Sequence, residues 1–252
     1  MTINAPTSAQ IPALRKLWKQ AFGDTDAFLD DFFRLAFSPD RCRCIMEEGR
    51  LAAMLYWFDC RCAGQKVAYL YAVATDKAFQ NRGLCRALMT DTQRQLQQAG
   101  YHSAMLVPGS RELFRFYEKL GYRTATHVRE FTCAPGADPI SLRKISPQEY
   151  ALLGRQLLPA AGVIQEGAAL ALLEAQGGFF AGDGFLLAGT LTEGKLLWGE
   201  LLGSADAAPG ILSALGAAEG RFRMPGSETA FAMHLSLSPD AIVPTYFGLA
   251  LD

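Results

Sequence analysis

The residues best suited to chemistry lie in a short basic stretch, residues 75–86, which reads TDKAFQNRGLCR. The apolar run before it, residues 67–74, predicts a strand, and the residues after it predict a helix. The first amide groups of a helix have no partner within the helix and carry partial positive charge, so the arrangement predicts an anion site. Gly83 lets the backbone approach an anion closely, and Arg82 and Arg86 add positive charge. We therefore expect a cofactor that carries phosphate.

The spacing within this stretch resembles a known cofactor loop. Residues 80–85, QNRGLC, are similar to the Q/R-x-x-G-x-G/A loop of the GCN5-related N-acetyltransferases, the GNAT superfamily, in which the loop holds the pyrophosphate of coenzyme A. Gln80 and Gly83 match this pattern, whereas Cys85 replaces a residue that is usually Gly or Ala. The stretch has neither the Gly-Lys-Ser/Thr ending of a Walker loop nor the GxGxxG pattern of dinucleotide-binding proteins.

A second segment strengthens the resemblance. Residues 114–122, FRFYEKLGY, are similar to the LYEKLGF signature of the same family. A predicted helix and a predicted strand, residues 104–107, lie between the two motifs in the order that is typical of the family. The resemblance covers roughly residues 8–132 and implies acetyl-CoA as the cofactor.

The resemblance also implies roles for particular residues. Backbone groups at the end of the strand would pair with the pantetheine arm, the amide of Thr75 would face the developing oxyanion, and the amides of residues 80–86 would hold the pyrophosphate. The implied cofactor-binding residues are Val73, Ala74, Thr75, Gln80, Asn81, Arg82, Gly83, Leu84, Cys85, Arg86 and Ser110. Cys85 is not a nucleophile in this interpretation, because it lies in the phosphate loop.

Tyr117 stands where the family usually has its catalytic tyrosine. Its phenol would protonate the coenzyme A thiolate as it leaves. The two groups suit these roles because a free tyrosine and a thiol have similar pKa values. The alternative is a core aromatic residue in the apolar stripe of Leu113, Phe114 and Leu120. Ser110 replaces an asparagine that often precedes this helix, and it either contacts the pantetheine or only caps the helix.

The attacking amine must lose a proton, and the strand before the loop, residues 66–75, lacks the glutamate that many relatives use as a base. Water is one alternative. Another is the chain's own terminal carboxylate, as in some tandem relatives, if the apolar tail at residues 246–252 docks in the other half. The candidate side chains are Glu47, Glu48, Asp59 and His102, and the aromatic candidates for an acceptor pocket are Tyr56, Trp57, Tyr71 and Phe114.

Composition excludes other classes of partner. The chain has 252 residues, half of them hydrophobic, and a net charge of −1, so it lacks the basic field that binds nucleic acid or anionic membranes. Its apolar runs are shorter than the roughly 20 residues that span a bilayer, and its first residues do not resemble a signal peptide. We expect a cytoplasmic protein, a monomer or a small homo-oligomer, with a small-molecule amine as the acceptor.

Four of the six cysteines form two Cys-x-Cys pairs, Cys42 with Cys44 and Cys60 with Cys62. Four thiolates in one place would hold zinc. A hairpin turn at residues 47–50 would instead place the first pair opposite residues near 55 and 53, with the second pair well past that register. The pattern therefore favours small, half-buried thiols in a reducing compartment over a zinc site.

The chain is predicted to contain two halves. Two helices, a meander with strands at residues 41–46, 51–60 and 67–75, and the cofactor loop make the first half. A linker rich in proline and glycine follows at residues 134–139. The second half again shows two helices and a meander, followed by strands predicted near residues 231–237 and 246–251.

We predict an α/β (α+β) protein with a GNAT domain at residues 1–133, in which helices flank a mixed central sheet, and a smaller, degenerate GNAT-like domain at residues 140–252. The second half lacks a Q-x-x-G loop, and Asp206 would repel phosphate there. An unrelated α+β cap is the alternative for this half. The predicted activity is acetyl transfer from acetyl-CoA to a primary amine by direct attack. The alternatives are a non-catalytic module that binds coenzyme A and a protein acetyltransferase acting on lysines or N-termini.

Overall fold

The structure is a computed structural model that describes residues 2–251. The helices are α1 (Ile11–Phe22), α2 (Asp26–Asp31), α3 (Leu84–Gln98), α4 (Arg111–Glu118), α5 (Pro147–Leu157), α6 (Ala168–Gln176) and α7 (Ala208–Leu215). The strands are β1 (Thr2–Asn4), β2 (Cys42–Glu47), β3 (Arg50–Cys62), β4 (Gln65–Thr75), β5 (Ser103–Leu106), β6 (Arg123–Thr124), β7 (His127–Cys133), β8 (Arg143–Ile145), β9 (Val163–Gln165), β10 (Gly178–Gly182), β11 (Phe185–Thr192), β12 (Lys195–Leu202), β13 (Glu219–Pro225), β14 (Thr229–Ala230) and β15 (Met233–Ser236).

The strands form two mixed sheets. The first sheet has the order β1-β2-β3-β4-β5-β15-β6, and β9 pairs with the end of β3. The second sheet has the order β14-β7-β13-β12-β11-β10-β8. Within the described residues, each sheet contains one parallel pair, β4 with β5 in the first and β12 with β13 in the second. The two halves therefore have the same arrangement, a meander followed by a helix and a parallel strand.

The two sheets exchange strands. After its parallel pair, the first sheet continues with β15, which pairs antiparallel to β5 and joins Ser236 to Ser103. The second sheet continues with β7, which pairs antiparallel to β13 and joins Cys133 to Gly220. Each half thus supplies a strand to the sheet of the other half. The division at residues 134–139 stays a prediction. Each sheet contains strands from both halves, so neither sheet is formed by one continuous piece of chain.

The first helices follow from local sequence signals. Leu14, Leu17 and Trp18 occur at helical spacing and are buried on one side of α1. Gly23 ends this helix in the left-handed conformation, with a φ of 77°. Thr25 then caps α2, since its side chain accepts a hydrogen bond from the backbone N–H of Phe28 at 3.2 Å.

Helices cover both faces of the first sheet. We call the side covered by α1 and α2 the α1 face, and the side covered by α3 and α4 the α3 face. Phe32, Tyr56 and Phe58 are buried on the α1 face, and Leu55 and Leu88 are buried on the α3 face. The core of the α1 face continues into the second half, whose α5 and α6 contribute the buried residues Tyr150, Leu170, Leu172 and Leu173. The two halves therefore share one core.

One prediction about strands is wrong, and one register differs by a residue from the positions near which the partners were expected. The tail at residues 246–251 is not a regular strand, and Tyr246 forms only a single bridge to Gly162. Cys42 and Cys44 lie opposite Tyr56 and Met54, one residue from the predicted partners, because the register of β2 and β3 shifts between residues 45 and 46. A one-residue shift of this kind reverses which side chain faces which layer.

The cysteine pairs lie in the core. Cys42, Cys44, Cys60 and Cys62 are all buried, and burial raises the pKa of each thiol. Among residues 2–251, no cluster of three or more potential metal-ligating side chains occurs. In the same part of the chain, no helix is long and apolar enough to cross a membrane.

Candidate functional site

A notch opens in the first sheet between its two parallel strands. The last aligned pair of β4 and β5 is Tyr69 with Met105. Beyond it, β4 continues to Thr75, whereas β5 ends at Leu106. The backbone of β4 beyond Tyr69 therefore has no strand beside it on this side, and its peptide groups are available to an extended ligand.

The parallel pair of the second sheet does not open in this way. β12 and β13 pair from Lys195 and Glu219 to Glu200 and Arg223, near the ends of both strands, with a register shift between Leu196 and Gly199. The segment after β12 contains Asp206 and leads into α7. Only the first half therefore combines a notch with a basic loop.

The strand that borders the notch contains a bulge. Ala72 has a φ of 51°, and the register between β3 and β4 shifts between Met54 and Tyr56. An alanine rarely adopts a left-handed conformation, so the bulge stores local strain. The residues around it differ in burial, since Val73 is half-buried with its side chain on the α3 face, and Ala74 is buried on the α1 face.

The backbone of Thr75 faces the notch. The N–H of Asp76 donates to the carbonyl of Ala52 at 2.8 Å, which makes these two residues a hydrogen-bonded pair of the antiparallel ladder. The preceding residue of β4, Thr75, therefore directs its N–H and C=O away from β3. In agreement, Gln80 Nε2 donates to the Thr75 carbonyl at 3.4 Å from the notch side. The predicted position of this amide is thus compatible with an oxyanion contact.

A buried aromatic residue shapes the phosphate loop. The Asp76 carboxylate accepts a hydrogen bond from the N–H of Ala78 at 2.8 Å and starts a short helical turn that ends at Phe79. The Phe79 ring is buried, and the guanidinium groups of Arg82 and Arg50 lie 5.1 Å and 5.2 Å from its centre. Neither Phe79 nor Arg50 was predicted as a site residue from the sequence, although Phe79 is the one aromatic residue of this loop.

The start of α3 has the features of an anion site. Asn81 and Gly83 are both left-handed, with φ values of 62° and 76°, and they turn the chain into the helix. No side chain caps the helix, and its first turn contains no acidic residue. A Cβ at Gly83 would meet nothing within 4 Å, so the space in front of the first amide groups is open. These amide groups and the helix dipole favour a phosphate.

The side chains of the loop divide into exposed and buried sets. Gln80, Asn81, Arg82 and Arg86 are exposed, and Leu84 is buried, so the loop presents its polar residues to solvent. Cys85 is half-buried, and burial raises the pKa of its thiol to about 11. A protonated thiol is a weak nucleophile, which agrees with a role in packing.

The second motif lies beside the first. Tyr117 is on α4, only 7% exposed, and it packs in the same core as Cys85. Its ring centre is 5.9 Å from that of Tyr122 and 5.3 Å from that of Phe116. Burial raises the pKa of the Tyr117 phenol, and the nearby Cys85 and Tyr122 raise it further. The phenol therefore stays protonated at neutral pH and can act as a proton donor.

Ser110 caps α4. Its hydroxyl accepts a hydrogen bond from the N–H of Leu113 at 3.4 Å, and its carbonyl accepts one from the N–H of Phe114 at 3.2 Å. The side chain is exposed at the start of the helix. Of the two roles expected for this serine, the cap is the one its contacts support.

Two of the candidate bases lie at the closed end of the sheet. Asp59 is opposite Ala68, in the aligned part of β4, and accepts hydrogen bonds from Tyr101 and Arg41, the latter at 2.6 Å. Burial alone would raise the pKa of Asp59, but these hydrogen bonds lower it. His102 is at the same end, since its N–H donates to the carbonyl of Lys66. Neither group borders the notch.

The other candidate bases are Glu47 and Glu48, which lie at the hairpin between β2 and β3. The first residue of β3, Arg50, contacts Phe79, so this hairpin is on the phosphate-loop side of the sheet. The terminal carboxylate belongs to Asp252, which is outside the described residues.

The four aromatic candidates do not line one pocket. Trp57 and Phe114 pack on the α3 face, whereas Tyr56 and Tyr71 pack on the α1 face. Alternation along β3 separates the adjacent residues Tyr56 and Trp57. On the α1 face, Tyr71 instead neighbours Trp18 at 5.5 Å and Tyr69 at 6.0 Å between ring centres. An aromatic wall therefore lies on one side of the notch.

Comparison with known proteins identifies the first half. Residues 2–125 match the family model described as an acetyltransferase (GNAT) domain. No curated protein sequence matches the chain. Residues 2–125 therefore belong to the GNAT family of acetyltransferase domains, a family and fold that support acyl transfer.

Solved structures extend the fold similarity over nearly the whole chain. A GCN5-related N-acetyltransferase from Kribbella flavida has a TM-score of 0.71 and 15% identity, and the match covers 95% of this chain and 73% of that one. Eis1 from Mycobacterium abscessus has a TM-score of 0.66 and 13% identity over 96% and 75% of the two chains. A GCN5-related N-acetyltransferase from Sphaerobacter thermophilus has a TM-score of 0.59 and 14% identity over 97% and 98%. At these identities the similarity concerns the fold.

Proposed function

We propose that the protein is an acetyl-CoA-dependent N-acetyltransferase that transfers an acetyl group to a primary amine by direct attack. The observation that carries the proposal is the notch beside β4, which leads directly into an uncapped helix start at Gly83. An extended strand edge suits a pantetheine arm, and a helix start flanked by arginine suits a pyrophosphate. Acetyl-CoA supplies the activated thioester when it is bound.

The residues of the first half would divide the binding as follows. The backbone of Val73, Ala74 and Thr75 would pair with the pantetheine arm, and the notch-facing N–H of Thr75 would donate to the oxyanion. The backbone amides of residues 80–86 would hold the pyrophosphate, supported by the charges of Arg82 and Arg86. Ser110 would contribute to cofactor binding from its position as the cap at the start of α4.

Tyr117 would act as the general acid. Its phenol is kept protonated by burial, and none of the described residues forms a hydrogen bond with its hydroxyl. A proton donor without a competing partner can turn toward a thiolate as it leaves. The thiol of Cys85 is also protonated and is therefore a weak nucleophile. This agrees with direct attack by the amine, without a covalent enzyme intermediate.

The proton of the amine would leave to water or to the terminal carboxylate. The tail approaches the first half, since Phe247 packs 4.8 Å from Tyr69 between ring centres. A small-molecule amine is the proposed acceptor, and we propose a cytoplasmic monomer or small homo-oligomer. The division into a domain at residues 1–133, a linker at 134–139 and a degenerate domain at 140–252 is part of the same proposal.

Isothermal titration with acetyl-CoA tests the site. We expect micromolar binding at one site per chain, and loss of binding in the double variant Arg82→Glu, Gly83→Glu, which places two carboxylates at the phosphate loop. Lys16→Glu on α1 is the matched control, because it reverses an equivalent charge on another element. Absence of binding to the unmodified protein would refute both the enzyme and a module that only binds coenzyme A.

Turnover then separates the remaining candidates. The unmodified protein is assayed for thiol release with small primary amines and, separately, with peptides that carry a lysine or a free N-terminus. Activity with small amines supports the proposal, and activity with peptides alone supports a protein acetyltransferase. Tight binding without activity in either set would identify a binding module.

A further inference from the structure

The last residues of the chain are buried between the two halves. After β15 the chain has no further regular helix or strand within the described residues, yet Tyr246, Phe247, Leu249 and Ala250 are at most 5% exposed. A segment without its own hydrogen-bond ladder must satisfy its polar backbone groups by other contacts when it is buried. These contacts come from the second half.

The central contact is a buried carboxylate that the proposed chemistry does not use. Glu200, on β12, is 3% exposed. The hydroxyl groups of Tyr150 and Tyr246 donate hydrogen bonds to its two oxygens, the latter at 3.0 Å. Burial raises the pKa of Glu200, while the two phenol groups and Arg223 act in the opposite direction. A carboxylate buried in this way is stabilised by its hydrogen-bond donors, and one of these donors, Tyr246, belongs to the tail.

Backbone contacts extend the anchor on both sides of Tyr246. Arg223 Nη1 donates to the carbonyl of Gly248 at 3.1 Å, and Gln165 Nε2 donates to the carbonyl of Leu249. The N–H of Val163 donates to the carbonyl of Tyr246 at 2.9 Å. The tail is thus bound at Tyr246, Gly248 and Leu249, on both sides of Phe247.

Gly248 fits this anchor because it has no side chain. A Cβ at this position would collide with the Tyr246 hydroxyl and lie 2.7 Å from Glu200 Oε1. Glu200 therefore binds Tyr246 and leaves no room for a side chain at Gly248, and both contacts restrict the position of Phe247 between them.

Phe247 points from this anchor into the first half. Its ring centre is 4.8 Å from that of Tyr69, in an edge-on arrangement, and 6.4 Å from that of Phe231. Tyr69 belongs to the last aligned pair of β4 and β5, so the notch begins at the next residue of β4. Tyr71, two residues further along, continues the aromatic wall on the same face.

We propose that Glu200 is a positioning residue for the acceptor. Through Tyr246 it holds Phe247 against Tyr69, and the buried Phe247 ring thereby supports from behind the aromatic wall that receives the apolar body of the amine. The second half, which lacks a cofactor loop, would thereby determine acceptor affinity. This inference rests on the proposed acetyltransferase activity.

The test combines hydrogen exchange with kinetics. In Glu200→Ala we expect the amides of residues 245–251 to exchange about tenfold faster, because the buried donors lose their acceptor. With 2-phenylethylamine as the probe amine, we expect KM to rise about tenfold while the Kd for acetyl-CoA stays unchanged. Glu200→Gln keeps the size and one acceptor oxygen, so it should give smaller changes in both quantities.

Two control variants separate positioning from general stability. Phe247→Leu removes the aromatic ring that supports Tyr69 but keeps the anchor, so KM should rise while exchange at residues 245–251 stays at the level of the unmodified protein. Leu201→Ala weakens the opposite side of β12, where Leu201 is fully buried, and should lower Tm without changing KM.

The inference is overturned if Glu200→Ala leaves either exchange of the tail or KM for the amine at its original value. It is also overturned if Leu201→Ala raises KM as much as Glu200→Ala does, because the effect would then reflect stability alone. Failure of the proposed function has a different signature, since acetyl-CoA would not bind to the unmodified protein or no amine would be acetylated. The exchange measurement does not depend on turnover.

Discussion

Replacing Tyr117 with phenylalanine removes a single hydroxyl group from the core of the α3 face. The ring keeps its contacts with Phe116 and Tyr122, because only one oxygen atom is removed. None of the described residues forms a hydrogen bond with this hydroxyl, so the free energy of unfolding should change by no more than about 0.5 kcal/mol. The variant therefore reports on chemistry rather than on folding.

The expected kinetic effect follows from the role of a general acid. Loss of such a group lowers a rate by about 10²- to 10⁴-fold, which corresponds to roughly 3–5 kcal/mol in the barrier. We expect kcat of Tyr117→Phe to fall in this range, while the Kd for acetyl-CoA stays within about twofold of its original value. The assay is thiol release at saturating amine, with calorimetry for the cofactor.

The pH dependence provides a second readout. The acid form of a tyrosine exists below its pKa, and burial raises the pKa of Tyr117 above its ordinary value of 10.0. The loss of activity caused by its ionisation therefore moves to higher pH, so this group should not lower kcat between about pH 7 and 9. The same shift means that stability falls as pH rises above the ordinary pKa, because the unfolded chain releases the proton first.

Tyr122→Phe is the matched control for this experiment. It removes the same atom from a fully buried ring in the same aromatic cluster, and it should leave kcat close to its original value. A folded Tyr117→Phe protein with kcat within about threefold of the original would refute the role of Tyr117 as the acid. An equal loss in both variants would indicate a packing effect.

Three other measurements test separate features. If the terminal carboxylate is the base, deleting residues 250–252 should lower kcat about 10²-fold with acetyl-CoA affinity retained, and unchanged kcat in a folded protein would exclude it. Asp91→Asn should lower the free energy of unfolding by about 3 kcal/mol in urea titrations, because it leaves Arg43, 2.7 Å away and largely buried, without its carboxylate; a loss below about 1 kcal/mol would contradict this. Burial alone would raise the pKa of Asp59, but the hydrogen bond from Tyr101 helps to lower it below 3.8, so its stabilisation is present above that pH and is lost as the pH falls through the lowered value. Asp59→Asn should weaken the dependence of the free energy of unfolding on pH in the acid range. An unchanged dependence would show that the hydrogen bond from Tyr101 to Asp59 does not contribute to stability.

Local signals in the sequence predicted local structure well. Ser110 caps α4, which is one of the two roles expected for it from the sequence. These signals depend on a few neighbouring residues, because a cap hydrogen bond joins positions two or three residues apart. The meander of β2, β3 and β4 was predicted for the same reason, since short hairpins join neighbouring strands.

Details that depend on register were not predictable. The shift between residues 45 and 46 moved Cys42 and Cys44 by one partner, and a bulge at Ala72 redirected the end of β4. Alanine gives no signal for a left-handed φ, because its side chain disfavours that conformation. Phe79 likewise looks like an ordinary apolar residue until two arginines are found around its ring.

By itself, the sequence determined the loop at residues 75–83, the start of α3, the helix that carries Tyr117 and the repeated order of helices and strands, because each depends on short-range spacing. Only the tertiary structure decided which strands complete each sheet and where the tail lies. The local sequences of β7 and β15 do not favour one sheet over the other. Which sheet each strand joins depends on the total apolar surface that both halves bury. The contacts of Glu200 were likewise decided by the tertiary structure. In the sequence Glu200 is an ordinary strand position of β12, and only folding brings the Tyr246 hydroxyl to its carboxylate.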